Sequence, residues 1–67
     1  MKVDVHNRVY AVRTEMNITQ EKLSEKIGVS RQTIIAIEKG NYVPSVLLVL
    51  RLAKFFKRSV EELFYLS

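Results

Sequence analysis

Between Thr19 and Pro44 two short apolar-periodic stretches stand only three residues apart, and nothing else in the 67-residue chain restricts its fold as much. Thr19 is a candidate N-cap, Gln20 and Glu21 fill the first turn, and Leu23 and Ile27 share one helical face at i and i+4. Gly28 ends that stretch, because glycine takes positive φ without strain. Val29 follows, Ser30 caps the next helix, Ile34 and Ile37 face inward, and Gly40 stops it. Helices joined by Gly28, Val29 and Ser30 alone cross steeply, with Leu23, Val29, Ile34 and Ile37 locking the angle. The outer face of the second helix is then left free.

The rest of the chain builds around this pair. Lys2-Val3-Asp4-Val5 alternates polar and apolar, which suggests a short extended segment. Asn7 is a candidate N-cap, Val9, Val12 and Met16 follow helical spacing, and Asn17 suits a left-handed closing position, giving a first helix near 7–16. Asn41-Tyr42-Val43-Pro44 has turn chemistry, since Pro44 bars a helix through Val43. Ser45 caps a fourth helix reaching about Phe56, apolar almost all round and so expected to be buried on more than one side. Ser59 opens a short fifth helix with Glu61 and Glu62 in its first turn, where acidic charge suits the helix dipole. The reading is all-α, five short helices in one domain over 1–67, with no internal repeat, low-complexity tract or linker.

Composition narrows the chemistry. Eleven Lys and Arg stand against seven Asp and Glu, a formal +4, which is compatible with a polyanionic partner and equally with a basic soluble protein that has none. There is no cysteine, which excludes disulfides and thiolate zinc sites, and the single histidine, His6, reads as a solvated terminal residue rather than a ligand. No metal site and no cofactor are expected. No apolar run approaches the roughly 20 residues that span a bilayer, and the first residues hold no apolar stretch of signal-peptide length. The expectation is a cytoplasmic protein without membrane contact. No paired-carboxylate site, His or Cys constellation or Gly-rich phosphate loop is present, so an enzyme is not expected.

A helix, a three-residue turn with Gly and a Ser-capped second helix form the unit that presents its second helix to the DNA major groove. Here the match becomes specific. The run Thr19-Gln20-Glu21-Lys22-Leu23-Ser24-Glu25-Lys26-Ile27-Gly28-Val29-Ser30-Arg31-Gln32-Thr33-Ile34, then Ile37-Glu38-Lys39-Gly40 and Pro44-Ser45, closely resembles the Cro and phage-repressor helix-turn-helix family, also called the xenobiotic-response-element family. The likeness continues through Leu50, Leu52 and Ala53 to Ser59-Val60-Glu61-Glu62-Leu63-Phe64, nearly the whole chain from Arg8 onward. It implies a five-helix lambda-repressor-like DNA-binding domain of the minimal type, with the motif at about 20–39. The terminal segments resemble those of small members in which N- and C-terminal strands pair into a short β-ribbon. The resemblance implies sequence-specific double-stranded DNA binding and transcriptional regulation, with repression the simpler expectation.

Roles follow from residue chemistry and from the resemblance together. Arg31, Gln32 and Thr33 lie at the N-terminal end of the recognition helix (about 31–39), where base edges are reached first; Arg can pair with guanine and Gln with adenine. Arg31 and Gln32 occupy the family's base-reading positions. Ile35 and Ala36 fall on the same outward face; Ile35 either contacts a thymine methyl or is partly buried. Gln20 matches the family's phosphate-binding position at a helix N-terminus. Ser30, Lys39, Asn41 and Tyr42 are further phosphate candidates, or solvated surface residues. Arg13 and Glu38 align with a family pair that bridges helix one to the end of helix three, against the alternative of two unrelated surface charges.

Two positions depart from the family pattern. Leu47 stands where a polar residue is usual, and Lys57 replaces a usual Gly, so the turn after helix four is either less sharp or strained. The added apolar surface implies a homodimer through helix four or five, with Leu47, Phe55, Phe64 and Tyr65 at the interface, reading a palindromic operator. Alternatively Leu47 packs against Pro44 or the terminal residues within one chain. No small-molecule effector is evident. A competing reading is a protein-interaction or antitoxin-type module with DNA binding secondary; intact Arg31 and Gln32 favour DNA.

Overall fold

The computed structural model describes residues 4–67, so Lys2 and Val3 of the expected extended segment lie outside the described residues. The order is β1 (Val5–Asn7), α1 (Val9–Glu15), α2 (Gln20–Ile27), α3 (Arg31–Glu38), α4 (Val46–Phe56), α5 (Val60–Leu63) and β2 (Phe64–Leu66). Hydroxyl caps start four of the helices. The side chains of Thr19, Ser30, Ser45 and Ser59 accept from the backbone N–H groups of Lys22, Thr33, Leu48 and Glu62, each satisfying one orphan donor of a first turn.

α1 begins later than 7, because Asn7 belongs to β1, opposite Phe64. From that position its Oδ1 still accepts from the Val9 N–H at 3.1 Å. α1 also ends at Glu15, which leaves Met16 in the turn and 42% exposed rather than packed. Ile18 packs against the core beyond the turn. Asn17 takes φ 57°, the left-handed conformation that asparagine tolerates best after glycine.

The strands pair antiparallel, Val5 with Leu66, His6 with Tyr65 and Asn7 with Phe64. Asp4 and Ser67 add two backbone hydrogen bonds of 3.0 Å. A lone two-stranded ribbon is marginal in water. Here Phe64 anchors it in the core, while Tyr65 stacks on His6 and lies 4.1 Å beneath the Arg8 guanidinium.

Val9, Val12, Leu23, Ile27, Ile34, Ile37, Leu48, Leu52, Ala53, Phe56, Leu63 and Phe64 form the core. α4 differs from expectation. It buries one face through Leu48, Leu52, Ala53 and Phe56, half-buries Val49 and Phe55, and leaves Val46, Leu47 and Leu50 at 74%, 59% and 54% exposure. Its apolar girdle exceeds what the neighbouring helices cover. None of the described helices is long and apolar enough to cross a membrane.

At the end of α4, Lys57 takes φ 57°, and the next N–H, of Arg58, reaches the Ala53 carbonyl at 3.0 Å. The turn is therefore as sharp as a glycine would make it, and the lysine carries the strain. A left-handed non-glycine residue costs roughly 1–2 kcal/mol, and glycine's greater unfolded-state freedom offsets about half of that. Lys57→Gly is expected to stabilise the chain by about 0.5–1 kcal/mol, read as a higher urea midpoint at unchanged slope; a lower midpoint would show the turn to be relaxed as it stands.

α5 has only four residues and depends on its cap. Ser59 and Glu62 form a reciprocal capping box, the Glu62 carboxylate accepting from the Ser59 N–H at 2.9 Å. The Ser59 backbone and side-chain hydrogen bonds, with Arg58 nearby, hold the Glu62 carboxyl below its ordinary 4.5. A group lowered in the folded state adds stability that is full above its unfolded pKa and is lost as pH falls through the folded value. The stability gap between wild type and Glu62→Ala is therefore expected to be constant above pH 4.5 and to narrow in more acidic buffer. A gap that widens on acidification would reverse the sign.

Candidate nucleic-acid interface

The geometry starts at Gly28. Its φ of 85° and ψ of 35° turn the chain out of α2, and the N–H groups of Gly28 and Val29 both close on the Ser24 carbonyl, at 2.8 and 3.0 Å. Arg51 of α4 adds a hydrogen bond of 3.3 Å to the Ile27 carbonyl, steadying the same helix end. A Cβ at Gly28 would meet Arg51 only at ordinary contact distance, so the requirement for glycine here is conformational rather than steric.

α3 then shows two faces. Ile34 and Ile37 are fully buried. Arg31 and Gln32 are exposed at its first turn, and Thr33, Ile35 and Ala36 are half-buried. Ile35 is half-buried, so part of its side chain remains open to solvent. Thr33 is engaged locally, its hydroxyl 3.1 Å from that of Ser30. Lys39, Asn41 and Tyr42 are exposed beyond the C-terminal end of α3, and Ser30 is exposed at its start.

Arg13 and Glu38 meet. Arg13 Nε donates to Glu38 Oε2 at 2.6 Å and Nη2 to Oε1 at 3.2 Å, while Nη1 reaches the Ile18 carbonyl at 2.8 Å. The two side chains are 10% and 5% exposed. A carboxylate at a helix C-terminus opposes the helix dipole, so Glu38 gains its place from the guanidinium of α1 and from Gln20, whose Nε2 donates to Oε1 at 3.0 Å. Gln20 Oε1 in turn accepts from Arg31 Nε at 3.4 Å.

These side chains surround a shallow cleft lined by Arg13, Thr19, Gln20, Glu21 and Arg31, onto which the capped start of α2 opens. Asn7 supplies a tie that nothing in the sequence singles out beyond its capping chemistry: its Nδ2 donates to the Ile37 carbonyl at 2.9 Å, fixing the end of α3 to the ribbon.

The four residues expected at a dimer interface separate. Leu47 is exposed, Tyr65 is 38% exposed, and Phe55 is half-buried against the core. Phe64 is buried at 9%, because it faces inward where β2 leaves α5 while Tyr65, next in the strand, faces out. Its ring belongs to the chain's own core rather than to a surface.

Comparison with known proteins places this arrangement. The helix-turn-helix family profile matches residues 9–63. The uncharacterized HTH-type transcriptional regulator YgzD of Bacillus subtilis (strain 168) is 50% identical over 61 residues, 91% of this chain and 92% of YgzD. The cryptic phage CTXphi transcriptional repressor RstR of Vibrio cholerae is 35% identical over 57 residues, 85% of this chain and 51% of RstR. Among solved structures, the restriction-modification controller protein C.AhdI from Aeromonas hydrophila superposes with a TM-score of 0.76 at 27% identity, over 82% of this chain and 83% of that one.

The buried ion pair carries a stability prediction. Glu38→Ala leaves the Arg13 guanidinium buried without a counter-charge, held only by the Ile18 carbonyl and the face of the Tyr10 ring, at an expected cost of about 3–5 kcal/mol. The paired replacement Arg13→Met with Glu38→Leu removes both charges and is expected to cost less than Glu38→Ala alone. Urea midpoints of the two variants check this; a mild single substitution would place the pair among exposed ones.

Proposed function

The chain belongs to the Cro and phage-repressor type of helix-turn-helix family, and we propose that it regulates transcription by binding a specific double-stranded DNA sequence with α3 in the major groove. One observation carries the reading: Arg31 and Gln32 stand exposed at the first turn of a helix whose other face, through Ile34 and Ile37, is fully buried. Their chemistry fits base edges, Arg with guanine O6 and N7, Gln with adenine N6 and N7. Thr33, Ile35 and Ala36 lie along the same approach, the last two able to touch thymine methyls.

Gln20, Ser30, Lys39, Asn41 and Tyr42 are assigned to phosphate on either side of the groove. Such contacts set register and orientation and carry no sequence information themselves. The net charge of +4 supports the long-range attraction that brings a basic domain to DNA. Repression is the simplest regulatory outcome, because occupying a promoter requires only affinity, and RstR is named a repressor.

The proposed working unit is a homodimer. Leu47, with Val46 and Leu50 beside it on α4, leaves apolar side chains in water, and Tyr65 lies on the exposed ribbon. Burying such a patch against a second copy is favourable, and two copies would place their recognition helices on half-sites roughly 34 Å apart along one DNA face.

The test is selection of binding sites from a randomised duplex pool, then comparison of wild type with Arg31→Ala and Gln32→Ala at two salt concentrations. A palindromic consensus is expected, with each substitution lowering affinity about tenfold and relaxing preference at its own base pair. Binding that weakens with salt yet enriches no sequence would leave phosphate attraction alone. No enrichment together with no effect of either substitution would overturn the DNA reading in favour of a protein partner.

A further inference from the structure

We propose that the cleft where the end of α2 meets α4 is a docking surface for an acidic, partly apolar segment of a partner protein, held while DNA occupies α3.

The cleft runs between the last turn of α2 with its closing Gly28 on one side and Arg51, Lys54 and Phe55 of α4 on the other. Lys26, Arg51 and Lys54 are exposed along it, and Glu25 is the one acidic residue at its rim. Among the described residues the ion pairs are Arg13–Glu38 and Arg58–Glu15, so none of these three cations has a carboxylate partner there. The DNA reading uses Arg31 and Lys39 of the chain's eleven Lys and Arg and leaves this group unused. A cation suits a helix C-terminus, which accounts for Lys26 in α2 and Lys54 in α4 taken singly. It does not account for three like charges lining one cleft, where they repel one another. An anionic partner reverses that repulsion.

The lining selects the kind of anion. Arg51 Nη1 donates to the Ile27 carbonyl at 3.3 Å, which orders the guanidinium at the cleft and leaves its other donors for a carboxylate. Phe55 lies beside Arg51 and Lys54 and is half-buried, so part of its ring is open to the cleft. A nucleic-acid backbone brings charge but no apolar group to set on that ring. A peptide in which Asp or Glu flanks a Leu, Phe or Tyr meets both features, and this favours a protein partner.

The cleft is separate from the proposed reading surface. Gln20 begins α2 and the cleft lies at its other end, about 12 Å away along eight residues of helix. Arg31 turns its Nε back to the Gln20 oxygen at 3.4 Å, toward the end of α2 remote from the cleft. At physiological salt the screening length is about 8 Å, so charge in the cleft has little effect on DNA held at Gln20 and Arg31. A partner can therefore be held on the protein–DNA complex, as a regulator acting through a second protein requires.

The experiment selects random peptides displayed on phage against the full chain. A selected peptide is then titrated by fluorescence anisotropy at about 0.15 M salt, with and without saturating operator duplex. The proteins are wild type, Arg31→Ala and the double variant Lys26→Gln with Lys54→Gln, with melting temperatures and sedimentation equilibrium recorded alongside. Arg51 is left in place because it also holds the end of α2. Enrichment of Asp and Glu around an apolar residue is expected, with equal Kd on free and duplex-bound protein. The double variant is expected to weaken the peptide about tenfold and to leave duplex affinity and dimerisation unchanged. Arg31→Ala is expected to weaken the duplex and leave the peptide untouched.

No acidic enrichment overturns the proposal. So does a peptide that the duplex displaces or that Arg31→Ala releases, since it then only imitates phosphate at α3. A double variant that shifts the monomer–dimer balance without weakening the peptide assigns the cleft to a second copy. Failure of the duplex alone to bind specifically, with the peptide still held, is a failure of the DNA reading and leaves the docking surface standing.

Discussion

The Arg13–Glu38 ion pair is the contact on which the placement of α3 depends. α3 has eight residues, about 12 Å of helix, too short to hold an orientation through its own backbone. Its start is set by the Gly28 turn and the Ser30 cap. Its end is set by Glu38 bound to α1, and by Asn7 bound to the Ile37 carbonyl. The two apolar anchors between them, Ile34 and Ile37, are fully buried. A helix tied at both ends and packed along one side presents its remaining face as a rigid surface, which is what discrimination between bases requires. The terminal strands serve the same end: β1 carries Asn7, so the ribbon is part of the clamp on α3.

Much of this is legible in the sequence, for physical reasons that can be named. The caps Thr19, Ser30, Ser45 and Ser59 are local chemistry, read from three or four neighbouring residues, and each one starts a helix. Gly28, and Leu23, Ile27, Ile34 and Ile37 at helical spacing, give the central helix pair and its inner face. What the sequence conceals is set by tertiary pairing. Asn7 is a helix cap by composition, and strand pairing with Phe64 moves it one residue out. Phe64 and Tyr65 are alike in sequence; only the register of β2 sends one inward and the other out. In α4 only Arg51 and Lys54 mark the outward side, and its first five residues are all apolar, so composition there does not show that Val46, Leu47 and Leu50 are the side chains left exposed. Gln20 and Arg31 each open a helix, and only the steep crossing of α2 and α3 brings those two first-turn positions together.

The same structure shows where stability yields to geometry. Glu38 sits against the helix dipole and Lys57 sits in a left-handed turn, both unfavourable as local choices. Glu38 is compensated by Arg13 and anchors α3 beside the proposed reading residues. Lys57 lies far from them in sequence, and no contact in the structure explains why a lysine rather than a glycine stands there. The exposed apolar side of α4 is likewise unfavourable in a single chain, and it is the surface proposed above for a second copy.

The most direct test of α3 as the DNA-facing element is a backbone amide NMR titration of the uniformly 15N-labelled chain with a duplex carrying its selected site. The largest shifts are expected at Thr19–Glu21, Ser30–Ala36 and Lys39–Tyr42, with a second, separate set on α4 if two copies meet there. Shifts confined to α4 and the ribbon, with the amides of Gln20, Arg31 and Gln32 unmoved, would contradict it.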